Sequence, residues 1–269
     1  VQQPVAGEIR AVWDHSGLGL YPGDWPRTCR VLRAAGVSDL FVNVAGPGFA
    51  HARIKSLPAS PAFQAHGDQL QSCLAAARSQ GLRVHAWLIC GSTTRASPER
   101  LEQLRQRGWL LQGTDGKPRP WLNPARPDVR TFLTQVAGEL LENYEVDGLH
   151  LDFVRYPDFH ESLGPDTRRL FETRRGAVVA GWPESVRKGP LFHEFVAWRA
   201  EQISALVSGI RTLQRLRAPG AWVTAAVYGK YPACLESVGQ AWERWVEVGA
   251  IDFAVPMNYT EDEALYRSL

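Results

Sequence analysis

The stretch at 145–157, Glu-Val-Asp-Gly-Leu-His-Leu-Asp-Phe-Val-Arg-Tyr-Pro, constrains the fold more than any other part of this chain. Val146, Leu149, Leu151, Phe153 and Val154 supply the propensity of a buried strand, and Pro157 ends it. Strand side chains alternate, so Gly148, His150 and Asp152 share one face while Leu149, Leu151 and Phe153 share the other. Two ionisable groups in line on an apolar strand are costly to bury unless they are paired or used. The pattern therefore has two readings: a satisfied structural pair, or a catalytic carboxylate at the strand's C-terminal end.

Strands and helices alternate along the whole chain, which predicts a parallel sheet. Strands are expected at 9–15, 39–46, 83–90, 146–154, 221–228 and 251–259, with helices at 22–35, 67–80, from 127, 191–216 and 235–248. The class is α/β, a TIM-type barrel of alternating strands and helices in one domain over 1–269. A closed barrel of this kind has eight strands. Six strand-helix units are read here, so the barrel is expected to be incomplete, a shortened form of a longer one. Long inserted loops are expected at 91–122 and 158–190, with short helices at 98–107 and 165–175 and a turn at Gly113–Gly116.

Composition excludes more than it assigns. The net charge is +2 and arginines are interspersed with acids, so nucleic acid is not an expected partner. No apolar run is long enough to span a membrane. Residues 1–7 read as a polar lead-in to a mature domain whose signal peptide has been removed, which suits a secreted or envelope-associated monomer. Ten tryptophans lean toward flat ligands such as sugars. Four cysteines show no metal-ligand spacing; Cys29 and Cys73 fall on the first two helices, where a disulfide is a candidate.

In strand-helix barrels functional groups gather at the C-terminal ends of the strands. Those ends carry Asp14 and His15, Asn43, His85 and Trp87, His150 and Asp152 followed by Arg155 and Tyr156, Tyr228, and Asn258 and Tyr259. This is one central acid among imidazoles, amides and aromatics. No phosphate loop and no zinc motif is present, and neither a cofactor nor a metal is expected.

The run Asp-Gly-Leu-His-Leu-Asp-Phe-Val-Arg-Tyr-Pro at 147–157 resembles the signature of the glycosyl-hydrolase-like 10 family. That family comprises bacterial (β/α)8-barrel proteins classed as glycosidases, one of them a lipoprotein acting on denuded peptidoglycan. The resemblance implies a glycoside hydrolase whose barrel continues past the Pro-Met-Asn-Tyr strand. Set against the strand-four motif of family 18 glycosidases, Asp-x-x-Asp-x-Asp-x-Glu, Asp152 falls on the last Asp and Val154 on the Glu that serves there as the acid. What remains resembles barrels in which the strand-four Asp is itself the acid. Met257-Asn258-Tyr259 is similar to the Met-x-Tyr of family 18, with Thr260 replacing the Asp that follows.

Glycoside cleavage needs a proton donor and either a second carboxylate or the substrate's own group to support the oxocarbenium ion. Asp152 is the expected donor, His150 its orienting or proton-sharing neighbour, and Asp14 the best-placed second carboxylate, with Asp158 and Glu261 the other candidates. Asn43, His85, Trp87, Arg155, Tyr156, Tyr228, Asn258 and Tyr259 are expected to bind substrate, a polysaccharide of the bacterial envelope or another amino-sugar glycan. A carbohydrate-binding protein using the same groove is the alternative, and a metal-dependent hydrolase a third reading.

Overall fold

The computed structural model describes residues 8–268, so the lead-in at 1–7 lies outside it. Six parallel strands form one curled sheet in chain order: β1 (Ala11–Asp14), β2 (Asp39–Gly46), β3 (Arg83–Ile89), β4 (Gly148–Asp152), β5 (Trp222–Val227) and β6 (Phe253–Pro256). A two-residue strand, Phe49–Ala50, folds back antiparallel on β2. The sheet is two strands short of the eight that close a barrel, and it stays open between β1 and β6 among the described residues. Burial follows that opening. Every residue of β2 and β4 is buried, whereas all of β1 and most of β6 are only half-buried.

Five helices cover the outer face: α1 (Trp25–Ala34), α2 (Gln69–Ser79), α3 (Pro127–Asn143), α4 (Phe192–Arg217) and α5 (Trp242–Glu247). Each follows its strand, as the sequence pattern predicts. The starts of α1 and α2 are fixed by Asp24 and Asp68, whose carboxylates accept from the Arg27 and Gln71 amides. No described helix is long and apolar enough to cross a membrane.

Two expectations change. The helix expected at 235–248 is two short ones, Ala233–Val238 and α5, because Gly239 turns the chain at φ 75°. Gln240 is buried at that break; its amide donates to the Ala226 carbonyl and accepts from the Tyr228 amide, extending the hydrogen bonding of β5 beyond its last residue. The inserted stretches carry the short helices and the turn that the sequence predicts. Residues 91–122 hold the helix Pro98–Gln106 and a hairpin, Leu110–Gln112 with Pro118–Leu122. Residues 158–190 and the first half of α4 build a second small core around Phe171, Val186, Phe195 and Trp198. Cys29 and Cys73 are neighbours between α1 and α2 as free thiols, so the candidate disulfide is not formed.

Inside the sheet, inward side chains stack in registered layers. One layer is Phe41, His85, Gly148 and Trp222; the next is Asn43, Trp87, His150 and Thr224. Gly148 makes the first layer fit. A Cβ there would lie 2.4 Å from Nδ1 of His85 and 3.1 Å from the Trp222 carbonyl oxygen. Gly148→Ala is therefore expected to lower stability by about 1–3 kcal/mol through overpacking. Urea denaturation checks this; an unchanged midpoint would show that the layer yields freely.

Candidate active site at the mouth of the half-barrel

Asp152 ends β4 at the C-terminal mouth, 7% exposed. Its Oδ2 accepts from the Trp87 indole N–H at 3.1 Å, and its Oδ1 from the Phe153 amide at 2.6 Å. Burial pushes the carboxyl above the ordinary aspartate range; the Phe153 amide, the charge of Arg155, the Trp87 bond and His15 pull the other way without cancelling it. A partly desolvated acid with raised proton affinity at a barrel mouth is suited to proton donation.

The residue after it is backbone-strained. Phe153 has φ 50°, the left-handed region that a bulky residue rarely occupies, at a typical cost of order 1–3 kcal/mol. This bend ends the strand's alternation and sends the chain back over the mouth. Trp121, from the inserted hairpin, locks the bend in place. Its indole donates to the Arg155 carbonyl at 3.0 Å, and its ring meets Phe153 edge-on at 5.6 Å. Gly91 lets that ring in, since a Cβ there would lie 2.4 Å from the indole nitrogen. The Arg155 guanidinium then sits over three rings, Phe153 at 4.7 Å, Tyr228 at 4.9 Å and Trp121 at 5.4 Å.

On the other side of Asp152, His15 packs edge-on against Trp87, with centroids 4.6 Å apart. Farther round, His51 donates from Nδ1 to Ser60 Oγ at 2.6 Å and accepts at Nε2 from Arg95 at 3.2 Å. Burial, with the Arg95 charge, lowers the His51 pKa to about 4. Asn43 is buried on the inward face of β2 with no partner for its Oδ1, and the half-buried Asn258 likewise has an unpartnered Oδ1 beside Gly229.

The structure brings together Asp152, Trp87 and Arg155 with Tyr228, as the sequence predicts, and Asn43 lies in the layer beneath. Five expected roles are corrected. His150 does not touch Asp152: it lies one layer deeper, fully buried, accepting from the Trp13 indole at 3.3 Å and bonded through Nδ1 to Thr224 Oγ1 at 2.8 Å. Burial holds it neutral, with a pKa of about 3, so it is the satisfied core histidine. His85 sits deeper still, its Nε2 on Asp39 Oδ1 at 2.8 Å, beside the two-pronged Arg83 contact to the same carboxylate. Tyr156 faces away from the mouth, fully buried beneath Arg199, whose guanidinium is 4.5 Å from its ring centroid. Tyr259 is 88% exposed rather than packed into the mouth. Asp14 closes its own loop, with Oδ1 accepting from the Ser16 amide and hydroxyl and Oδ2 from the Gly19 amide. That is a turn-capping role, and the charged groups acting on Asp152 are Arg155 and His15.

The sequence reading missed Trp121 and His51 and gave His15 no role. His15 carried a signal, as the residue after Asp14 at a strand end. Trp121 and His51 carried none, since each reaches the mouth from an excursion between strands.

The depressed His51 has a consequence for stability. Its ordinary value is 6.5 and its folded value about 4, so between these the unfolded chain binds a proton that the folded chain refuses. Stability is full above about pH 6.5 and falls as pH drops, by about 2 kcal/mol at pH 5 for this one group. Denaturation midpoints from pH 7 to 5 should show this slope, and His51→Gln should flatten it by that amount; an identical slope in the variant would refute the assignment.

Comparisons with known proteins agree with this fold. The chain is 25% identical to glycosyl hydrolase DigH of Escherichia coli K12 over 263 residues, covering 85% of this chain and 56% of that protein. The chain thus spans about half the length of that relative. A shorter stretch of 104 residues is 31% identical to an S-layer-related protein of Niallia circulans, covering 35% of this chain and 6% of that one. Among solved structures, the glycoside hydrolase domain of PgaB (BpsB) from Bordetella bronchiseptica superposes with a TM-score of 0.71 at 18% identity, covering 93% of this chain and 74% of that one. The two therefore share a fold. The family model described as glycosyl hydrolase-like 10 matches residues 50–267, and the chain belongs to that family.

Proposed function

We propose that this protein is a glycoside hydrolase that cleaves a polysaccharide with Asp152 as its general acid. The observation that carries the reading is the desolvated carboxyl of Asp152 at the barrel mouth, its proton affinity raised by burial, with the Trp87 indole on one oxygen and the Arg155 guanidinium nearby against the exposed ring of Tyr228. A sugar lying against that ring would bring a glycosidic oxygen to the carboxyl, which protonates it as the bond to the anomeric carbon breaks. The Trp87 and Phe153 donors then stabilise the carboxylate left behind. The membership in a glycosyl hydrolase-like family, and a relative named as a glycosyl hydrolase, support the same reading.

With Asp14 engaged in its own loop, support of the oxocarbenium ion by the substrate's own N-acetyl group fits an amino-sugar glycan. Such glycans belong to bacterial envelopes, and we place the protein there or outside the cell.

Reducing-end release, with product masses, from amino-sugar polymers, peptide-free murein strands and neutral glucans tests the assignment. Asp152→Asn should lower release by about 10²- to 10⁴-fold with its circular dichroism unchanged. Equal release by both proteins would remove Asp152 from the mechanism. Retained glycan binding with no release from either would make the protein a carbohydrate-binding one.

A further inference from the structure

Arg155 stands out among the charged groups of the mouth because no carboxylate among the described residues pairs with it. It is 8% exposed, yet its guanidinium makes no hydrogen bond or ion pair among the described residues. Its Nε is fully buried without a partner, whereas Nη1 and Nη2 are not among the buried unpartnered atoms and so keep access to the mouth. Asp152 is close enough to feel the charge but lies outside ion-pair range, and both of its oxygens already accept from Trp87 and Phe153. A desolvated cation without a counter-ion is costly. The three rings around it offset part of that cost by cation–π attraction, and they fix the plane of the guanidinium.

What remains free is the outer edge of a rigid planar fork, whose two terminal N–H groups match the two oxygens of a carboxylate. Arg155 is thus the cation that acts on the desolvated acid of the mouth.

We propose that Arg155 is a specificity-determining residue: its caged guanidinium binds a carboxylate carried by a sugar of the glycan, seated on Tyr228 next to the bond that Asp152 cleaves. The inference rests on the hydrolase reading for the cleaved bond, but the anion subsite stands on its own geometry. A docked carboxylate would also cancel the positive field that Arg155 exerts on Asp152, so that a correct substrate helps keep the acid's proton in place until transfer.

The test is binding, which needs no turnover. Affinity electrophoresis would compare the protein on hyaluronan, polygalacturonate and peptide-free murein strands, each beside its carboxyl-reduced, neutral counterpart. At least one acidic glycan should bind, and its reduced form should bind about tenfold or more weakly, the worth of a charge-assisted pair. Arg155→Met should erase that difference, and Arg155→Lys, which keeps the charge without the fork, should restore part of it. Equal binding of acidic and reduced forms by the unmodified protein, or binding of none of the three acidic glycans, would overturn the proposal, as would a preference that survives in Arg155→Met. Release assays on the same glycans separate the two readings. Preferential binding without release leaves the anion subsite standing and removes the hydrolase, while release indifferent to carboxyl reduction does the reverse.

Discussion

The structure depends on what happens to polar groups that point inward from a sheet with apolar packing on its other face. Along β4 the inward positions are Gly148, His150 and Asp152, and each sits at a different depth. At the deepest, no side chain fits, because His85 and its Asp39 partner fill the space. One layer up, His150 is held neutral between Trp13 and Thr224, with both ring nitrogens engaged. At the top, Asp152 has a donor on each oxygen but little water, and burial wins over the donors. The same desolvation that makes the lower layers rigid structural networks makes the uppermost group a proton donor.

The surroundings of Asp152 are built to hold that state. Strain at Phe153 is tolerated because Trp121 and the Arg155 carbonyl close over the bend, and Gly91 leaves room for the indole. Arg199 anchors the chain that follows: it is fully buried, donates to the carbonyls of Asp158, Glu236 and Ser237, and stacks over Tyr156. The loop carrying Arg155 is thus tied at both ends, and the guanidinium is presented as a fixed feature of the mouth.

Much of this was legible in the residues because strand alternation has a period of two. It placed Gly148, His150 and Asp152 on one face, and it located all six strands and the helices between them. Alternation gives the face of a side chain but not its height in the barrel. Height is set by register with neighbouring strands, Phe41 beside His85 beside Gly148, and that is a non-local quantity. His85 and His150 were therefore expected at the mouth and lie beneath it. Alternation also fails past a bend, so Tyr156 turned away from the mouth unannounced once Phe153 left the extended region. Trp121 and His51 reach the site from a hairpin and a fold-back whose tertiary positions no local pattern encodes.

The account stands on Asp152 holding its proton where ordinary aspartates have lost theirs. Infrared difference spectroscopy of the intact protein against Asp152→Asn, across an acid titration, isolates the carbonyl stretch of that one protonated carboxyl. We predict a band that persists to a pH above the range in which the exposed aspartates ionise. A band that disappears together with theirs would mean that Asp152 is an ordinary carboxylate, and that the mouth of this barrel has no acid to give.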